Sequence, residues 1–328
     1  MSEPIGVLVM AYGTASGPED VERYYTDIRG GRAPTPEHLE ELKGRYAAIG
    51  NRFPLLEITR AQAAGLEAEL NSSEPGRFRS YLGMKHSPPF IRDGVAEMKR
   101  DGIRRAVGLV MAPHWSGMSV ETYATAVRAA IQDQGAELVF DHVRDWYAWP
   151  SFVEFIASRV AEAIETLPAG ERDRAEVIFS AHSLPQRTLE DGTTRCTACR
   201  ECPAACRYAA QLRETADLVA ALLGLRAYGT GWQSAGRTAD PWLGPPVQDV
   251  IADAARRGAP AVVVCSAGFV SDHLEVLYDL DIEAKRVAEA SGLHFARTRM
   301  PNTDPEFTRA LAEVVRHHVA ADPVPAGS

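Results

Sequence analysis

Residues 261–275 read Ala-Val-Val-Val-Cys-Ser-Ala-Gly-Phe-Val-Ser-Asp-His-Leu-Glu. The first five are a short β-branched, apolar run of the kind expected in a strand buried on both faces. The polar and aromatic residues after it lead into a helix, with Ser271 or Asp272 placed to cap its first turn. Runs of the same character occur at 6–10, 78–82, 106–111, 138–143, 177–180 and 227–230, separated by longer helical patterns. This alternation predicts parallel sheets with helical crossovers on both faces, a doubly wound α/β architecture.

Ser151 is placed to cap a helix that runs to about Glu165 and stops before Pro168, with Glu154 completing a capping box. One α/β series closes before this helix and a second opens after it. The boundary therefore falls at Pro150, giving an N-terminal domain 1–149 and a C-terminal domain 150–328, with the final helix packing back on the first. Two similar halves are expected, although no short-period repeat is visible.

The 328 residues are 45% apolar and 24% charged, enough for two domains with full cores. Apolar runs fall far short of the ~20 residues of a membrane span. The N-terminus lacks a basic leader followed by an apolar stretch, so a cytoplasmic location is expected. A net charge of −9 with no broad basic face argues against a nucleic-acid partner.

Four of the five cysteines crowd into residues 194–207, Thr-Arg-Cys-Thr-Ala-Cys-Arg-Glu-Cys-Pro-Ala-Ala-Cys-Arg. The gaps between Cys196, Cys199, Cys202 and Cys206 aim four thiolates at one small centre, as in a ferredoxin-type ligand run. Tetrahedral zinc is the competing ligand, and a set of unliganded thiols is the plain alternative. The spacing by itself favours a [4Fe–4S] cluster over [2Fe–2S]. Cys265, inside its apolar run, reads as a core residue.

In open parallel sheets, ligands bind beyond the carboxyl ends of the strands. Here those positions hold Tyr12-Gly13-Thr14, Pro113-His114-Trp115, His182-Ser183-Leu184-Pro185, Gly231-Trp232-Gln233-Ser234 and Ser271-Asp272-His273-Leu274-Glu275. Glu275, Asp279 and Glu283 recur every four residues, so a helix stacks three carboxylates on one face. Such a row is ordinarily a solvated surface. Placed beside His182 at the same sheet edge, it instead suggests a site where a cation is delivered and protons are removed. A turn histidine bonded to backbone is the plain reading of His182, and His114 and His273 read as structural. Arg29, Arg32 and Arg45 with Tyr24, Tyr25 and Tyr46 form a basic, aromatic region suited to a flat ligand bearing carboxylates, or else a helix surface with snorkelling arginines.

These segments, together with Arg23-Tyr24-Tyr25 and Asp240-Pro241-Trp242-Leu243-Gly244-Pro245, resemble the ferrochelatase family in order from about Ile5 to Thr308. Met10-Ala11-Tyr12-Gly13-Thr14 and Arg45-Tyr46 look most like its coproporphyrin branch in Gram-positive bacteria. The resemblance implies the chelatase fold, two Rossmann-like domains with a porphyrin cleft between them. It implies insertion of Fe²⁺ into coproporphyrin III to give coproheme in heme biosynthesis, with release of two protons. His182 and Glu275 would be catalytic and face the incoming metal, and Asp279 and Glu283 would lead towards a second metal position. Tyr12, Arg29, Arg45, Tyr46, Phe53 and Tyr123 would line the porphyrin side. Some members carry a [2Fe–2S] cluster, which the resemblance assigns to the four cysteines, with [4Fe–4S] as the alternative. Two features depart from the branch: Phe53 stands where a small polar residue is expected, and the cysteine run follows the His182 loop where simpler members have none. Partners implied are coproporphyrin III, Fe²⁺ and transient contacts with neighbouring heme-pathway enzymes. The rival readings are a protoporphyrin IX ferrochelatase, a non-catalytic heme or porphyrin carrier, a redox protein and a cobalt chelatase.

Overall fold

The computed structural model describes residues 3–188, 194–196, 207–236 and 240–321. The first half builds a parallel sheet of β1 (Ile5–Ala11), β2 (Phe78–Met84), β3 (Arg105–Val110) and β4 (Val139–His142), in the order β2-β1-β3-β4. Its helices are α1 (Val21–Ile28), α2 (Pro36–Ala48), α3 (Leu55–Asn71), α4 (Ile91–Arg100) and α5 (Val120–Gln134). α6 (Pro150–Glu165) carries the chain across to β5 (Glu176–His182).

A short antiparallel hairpin follows, β6 (Gln186–Thr188) with β7 (Thr194–Cys196), and then α7 (Arg207–Leu223), β8 (Tyr228–Gln233), α8 (Val247–Arg256) and β9 (Ala261–Cys265). A π-helix (Val276–Ala284) runs into α9 (Lys285–Ala290), and β10 (His294–Arg297) and α10 (Pro305–Ala321) complete the described chain. The second sheet is also parallel, ordered β10-β9-β5-β8. Counted from each half's own first strand, both sheets follow the path 2-1-3-4. The expected likeness of the halves is thus a likeness of topology.

All seven residues of β1 and all five of β9 are buried, which is why both read as continuous apolar runs. The expected strands correspond to β1–β5, β8 and β9, with ends shifted by up to three residues. β10 was not expected, because an edge strand reading His-Phe-Ala-Arg lacks an apolar run. The largest core cluster runs through both halves and includes Phe152 and Phe155 of α6 and Phe307 of α10. Full burial of each such ring contributes about 1.5–3 kcal/mol. α10 packs on α3 and α6.

Two local expectations are corrected. Trp149 is the N-cap of α6 and Pro150 occupies its first turn; Ser151 Oγ donates to Glu313 at 2.6 Å and forms no capping box. The helix after β9 starts at Leu274, later than the Ser271 or Asp272 cap implied, and opens into the wider π form.

Candidate active site

The strand order reverses between β5 and β9, the point where an open parallel sheet leaves a crevice. His182 ends β5, and Glu275 comes ten residues after the end of β9. Gly268 lets the connecting loop cross the end of β5: its N–H donates to the Ser180 carbonyl at 3.0 Å, and a Cβ there would collide with Ala181. The loop thereby delivers Glu275 Oε1 to 3.5 Å from His182 Nε2.

His182 Nδ1 donates to the Ser183 carbonyl, which directs Nε2 at the carboxylate. The far side of Glu275 meets His273 Nε2 at 3.5 Å, and His273 Nδ1 in turn donates to the Ser271 carbonyl at 2.9 Å. Glu275 is therefore clasped between two imidazoles. His182 and Glu275 side chains keep 32% and 29% exposure, so a ligand can reach both. Burial works against charge on His182, but the Glu275 carboxylate and the Ser183 carbonyl outweigh it and push the imidazole up to about 8. Burial likewise works against charge on Glu275, yet His182 and His273 hold its carboxyl well below the usual carboxylate range.

One π-helix turn on, Asp279 is 2% exposed. Arg45 of α2 forms an ion pair with one of its oxygens, Ser234 Oγ donates to the other, and the Arg45 guanidinium lies 4.7 Å from the Tyr278 ring. Burial pushes Asp279 up to about 6 against the pull of Arg45, and the charge of Glu275 adds to the rise. Glu283 follows on the same side, and with Arg45, Ser234, Tyr278, Asp279 and Trp232 it lines a cavity of about 500 Å³. Asp279 and Glu283 of the acidic row thus share this cavity, and Asp279 is already paired with a cation. Among the described residues, no three His, Cys, Asp or Glu side chains gather closely enough to hold a metal on their own.

The porphyrin-side expectations separate into open and buried residues. Tyr12 directly follows β1 with an exposed face, edge-on to His86 at 4.6 Å. The turn beneath it needs Gly13, whose φ is 102° and whose Cβ would meet Ser87 Oγ at 2.6 Å. Partial desolvation and then the charges of Glu275 and Asp27 raise the Tyr12 phenol, which places Tyr12 within the field of the second half's carboxylate. Arg29 ends α1, half-buried, with its guanidinium 5.8 Å from the Tyr25 ring. Tyr46 is buried and stacks on Phe53 at 4.4 Å, and both pack with Leu274 and Tyr278 of the second half. Phe53, where a small polar residue was expected, thus stacks its ring on Tyr46. Tyr123 is buried, 5.4 Å from Lys85 Nζ. Arg45, expected on this side, faces Asp279.

Cys196 lies in β7, opposite Gln186 in the ladder that begins four residues after His182. Cys199, Cys202 and Cys206 lie outside the described residues.

The sequence reads His273 as structural and gives no reading of Lys85. His273 carried a signal, standing two residues before Glu275, but nothing in the sequence paired it. Lys85 follows β2, donates to Thr122 Oγ1 at 2.9 Å and sits 6.0 Å from the Tyr12 ring. The strand-end rule finds it once β2 is extended to Met84.

Two parallel sheets of one topology carry an imidazole–carboxylate pair at the crevice of the second, beside an acidic cavity. The ferrochelatase family profile matches residues 4–319, and the chain belongs to that family. It is 46% identical over 312 residues to the coproporphyrin III ferrochelatase of Geobacillus kaustophilus, covering 94% of each chain. With the coproporphyrin III ferrochelatase of Bacillus subtilis the identity is 47% over 313 residues, 95% of this chain and 96% of the other. Among solved structures, SirB from Bacillus subtilis with Fe³⁺ superposes with a TM-score of 0.58 at 9% identity, covering 97% of this chain and 96% of that one, a likeness of fold. No helix among the described residues is long and apolar enough to cross a membrane.

Proposed function

We propose that this chain inserts Fe²⁺ into coproporphyrin III, releasing two protons and yielding coproheme for heme synthesis. The observation that carries the reading is the reachable His182–Glu275 pair at the switch point, in a chain 43–47% identical to coproporphyrin III ferrochelatases over nearly its whole length. The macrocycle must lose two N–H protons as the metal enters. His182 in its neutral form accepts the two protons one after the other at Nε2, since Nδ1 is committed to Ser183, and passes each to solvent at its exposed edge, while the Glu275 carboxylate stabilises the imidazolium. Fe²⁺, the second substrate, approaches along the cavity bearing Glu283 and Asp279. The porphyrin lies against Tyr12, with Arg29 facing its carboxylates and the stacked Tyr46 and Phe53 beneath. The two halves, divided before Pro150, hold opposite sides of this cleft.

Insertion is tested anaerobically with coproporphyrin III and protoporphyrin IX side by side, in wild type, His182→Ala and Glu275→Gln. Faster turnover of coproporphyrin III and a loss of ~10²-fold or more in each variant are expected. Preference for protoporphyrin IX overturns the substrate assignment, and near-normal turnover in both variants removes the pair from the chemistry.

The cysteine segment is an iron–sulfur attachment to this enzyme, [2Fe–2S] with [4Fe–4S] as the alternative. The donor set fits, with four thiolates in one short segment and the first of them paired backbone to backbone with Gln186. When bound, the cluster supplies a crosslink among the four thiolates. Residues 183–186 are tied separately: Ser183 Oγ donates to the Leu243 carbonyl at 2.8 Å and the Gln186 N–H to the Pro241 carbonyl at 2.7 Å.

A further inference from the structure

Gln62 lies on α3 in the first half and is 2% exposed, yet each polar atom of its amide is bonded to the second half. Nε2 donates to the Val270 carbonyl at 3.2 Å and to the Asn302 carbonyl at 2.8 Å, and Oε1 accepts from Ser271 Oγ at 3.3 Å. Asn302 completes the clamp from the other side. It adopts a left-handed φ of 45°, a region asparagine enters more readily than most residues. Its N–H donates to the Val270 carbonyl at 2.9 Å, its Oδ1 accepts from the Asp272 N–H at 2.8 Å, and its Nδ2 donates to Asp272 Oδ2 at 2.7 Å. These bonds converge on residues 270–272, directly before His273 and Glu275.

We propose that Gln62, acting with Asn302, is a positioning residue for metal insertion that fixes the loop presenting Glu275 to His182. The proposal rests on the reading of the site as a ferrochelatase. A buried amide left without partners is strongly unfavourable, so the clamp selects one loop conformation out of many. α3 starts at Leu55, two residues after Phe53, and Gln62 lies about two turns along it. One helix therefore ties the aromatic floor under the porphyrin to the loop that bears the carboxylate. Neither Gln62 nor Asn302 reaches the reacting atoms; each acts through the loop.

The test uses the full chain carrying Gln62→Met, which keeps the volume and removes the bonds, and Asn302→Gly, which keeps the left-handed backbone and removes the side chain. The kcat for iron insertion is expected to fall ~10-fold or more while KM for coproporphyrin III and porphyrin binding by fluorescence quenching hold. Amide hydrogen exchange over residues 271–275 is expected to quicken without a matching change in β1 or β3. Asn302→Gly decides the matter where Gln62→Met weakens the fold. Wild-type kcat in folded variants overturns the proposal. So does a parallel loss of kcat and porphyrin binding with uniformly faster exchange, the signature of general destabilisation. A wild-type chain that inserts iron into neither porphyrin sinks the functional reading, and the proposal with it, whereas an active wild type with unaffected variants sinks the proposal alone.

Discussion

His182 has one ring nitrogen committed to a backbone carbonyl and the other facing a carboxylate, so its titration reports on the site. With the imidazole pushed up to about 8, the resting pair at neutral pH is an imidazolium and a carboxylate. The neutral base becomes available as pH rises. The kcat for insertion is expected to climb through a limb near pH 8, absent from the residual rate of His182→Ala, and a pH–rate profile measures it. The same titration bears on stability. Relative to an ordinary value of 6.5, the raised folded-state value means the pair's stabilisation is complete below pH 6.5 and disappears as pH passes through about 8. Wild type should therefore lose folding stability across that window relative to His182→Ala, as followed by urea unfolding at a series of pH values. Glu275 adds nothing across it, since its carboxyl titrates far lower.

At the scale of elements, α2 docks on the π-helix through the Arg45–Asp279 ion pair and the packing of Tyr46 with Tyr278. Arg45→Ala leaves Asp279 buried without its counter-ion, and a loss of about 3–5 kcal/mol is expected by denaturant unfolding at pH 7. The loss grows with pH above about 6, where Asp279 ionises even in the presence of Arg45. Arg45→Ala/Asp279→Asn recovers part of it, and a double-mutant cycle gives the coupling. The hairpin β6–β7 is the other telling element, because it joins the cysteine segment to the end of β5. The anaerobically purified protein is expected to be red-brown, with Cys202→Ser losing the visible absorption and bound iron. A colourless protein carrying zinc would instead assign the thiolates to a structural metal.

Across the whole molecule, the core is continuous between the halves. Phe307 of α10 stands 5.7 Å from Phe155, 6.0 Å from Trp146 and 6.4 Å from Phe152, fully buried. Phe307→Ala is expected to cost about 3–5 kcal/mol. Because the cluster spans both sheets, calorimetry should show one transition moved to lower temperature; two separated transitions would mean that the halves unfold independently.

Local chemistry along the chain was sufficient for β1–β5, β8 and β9, the α/β class, the cysteine run and the polar residues at the strand ends. Burial on both faces imposes apolar runs, and ligand chemistry imposes residue types, so both leave a trace in one dimension. Pairing across the fold leaves none. That Arg45 neutralises Asp279, that His273 shares Glu275 with His182, and that Gln62 holds a loop 208 positions away are consequences of two sheets closing on one another. The π-helix is of the same kind, since Val276–Ala284 reads as an ordinary helix until its packing against α2 and α8 is known. An edge strand such as β10 also escapes, because half-exposed backbone pairing demands little of its side chains. The sequence alone determined which chemical groups this protein has and at which strand ends they stand. Only the tertiary structure decided which of them meet, because contact energies fall off within a few ångströms and distance along the chain says nothing about them.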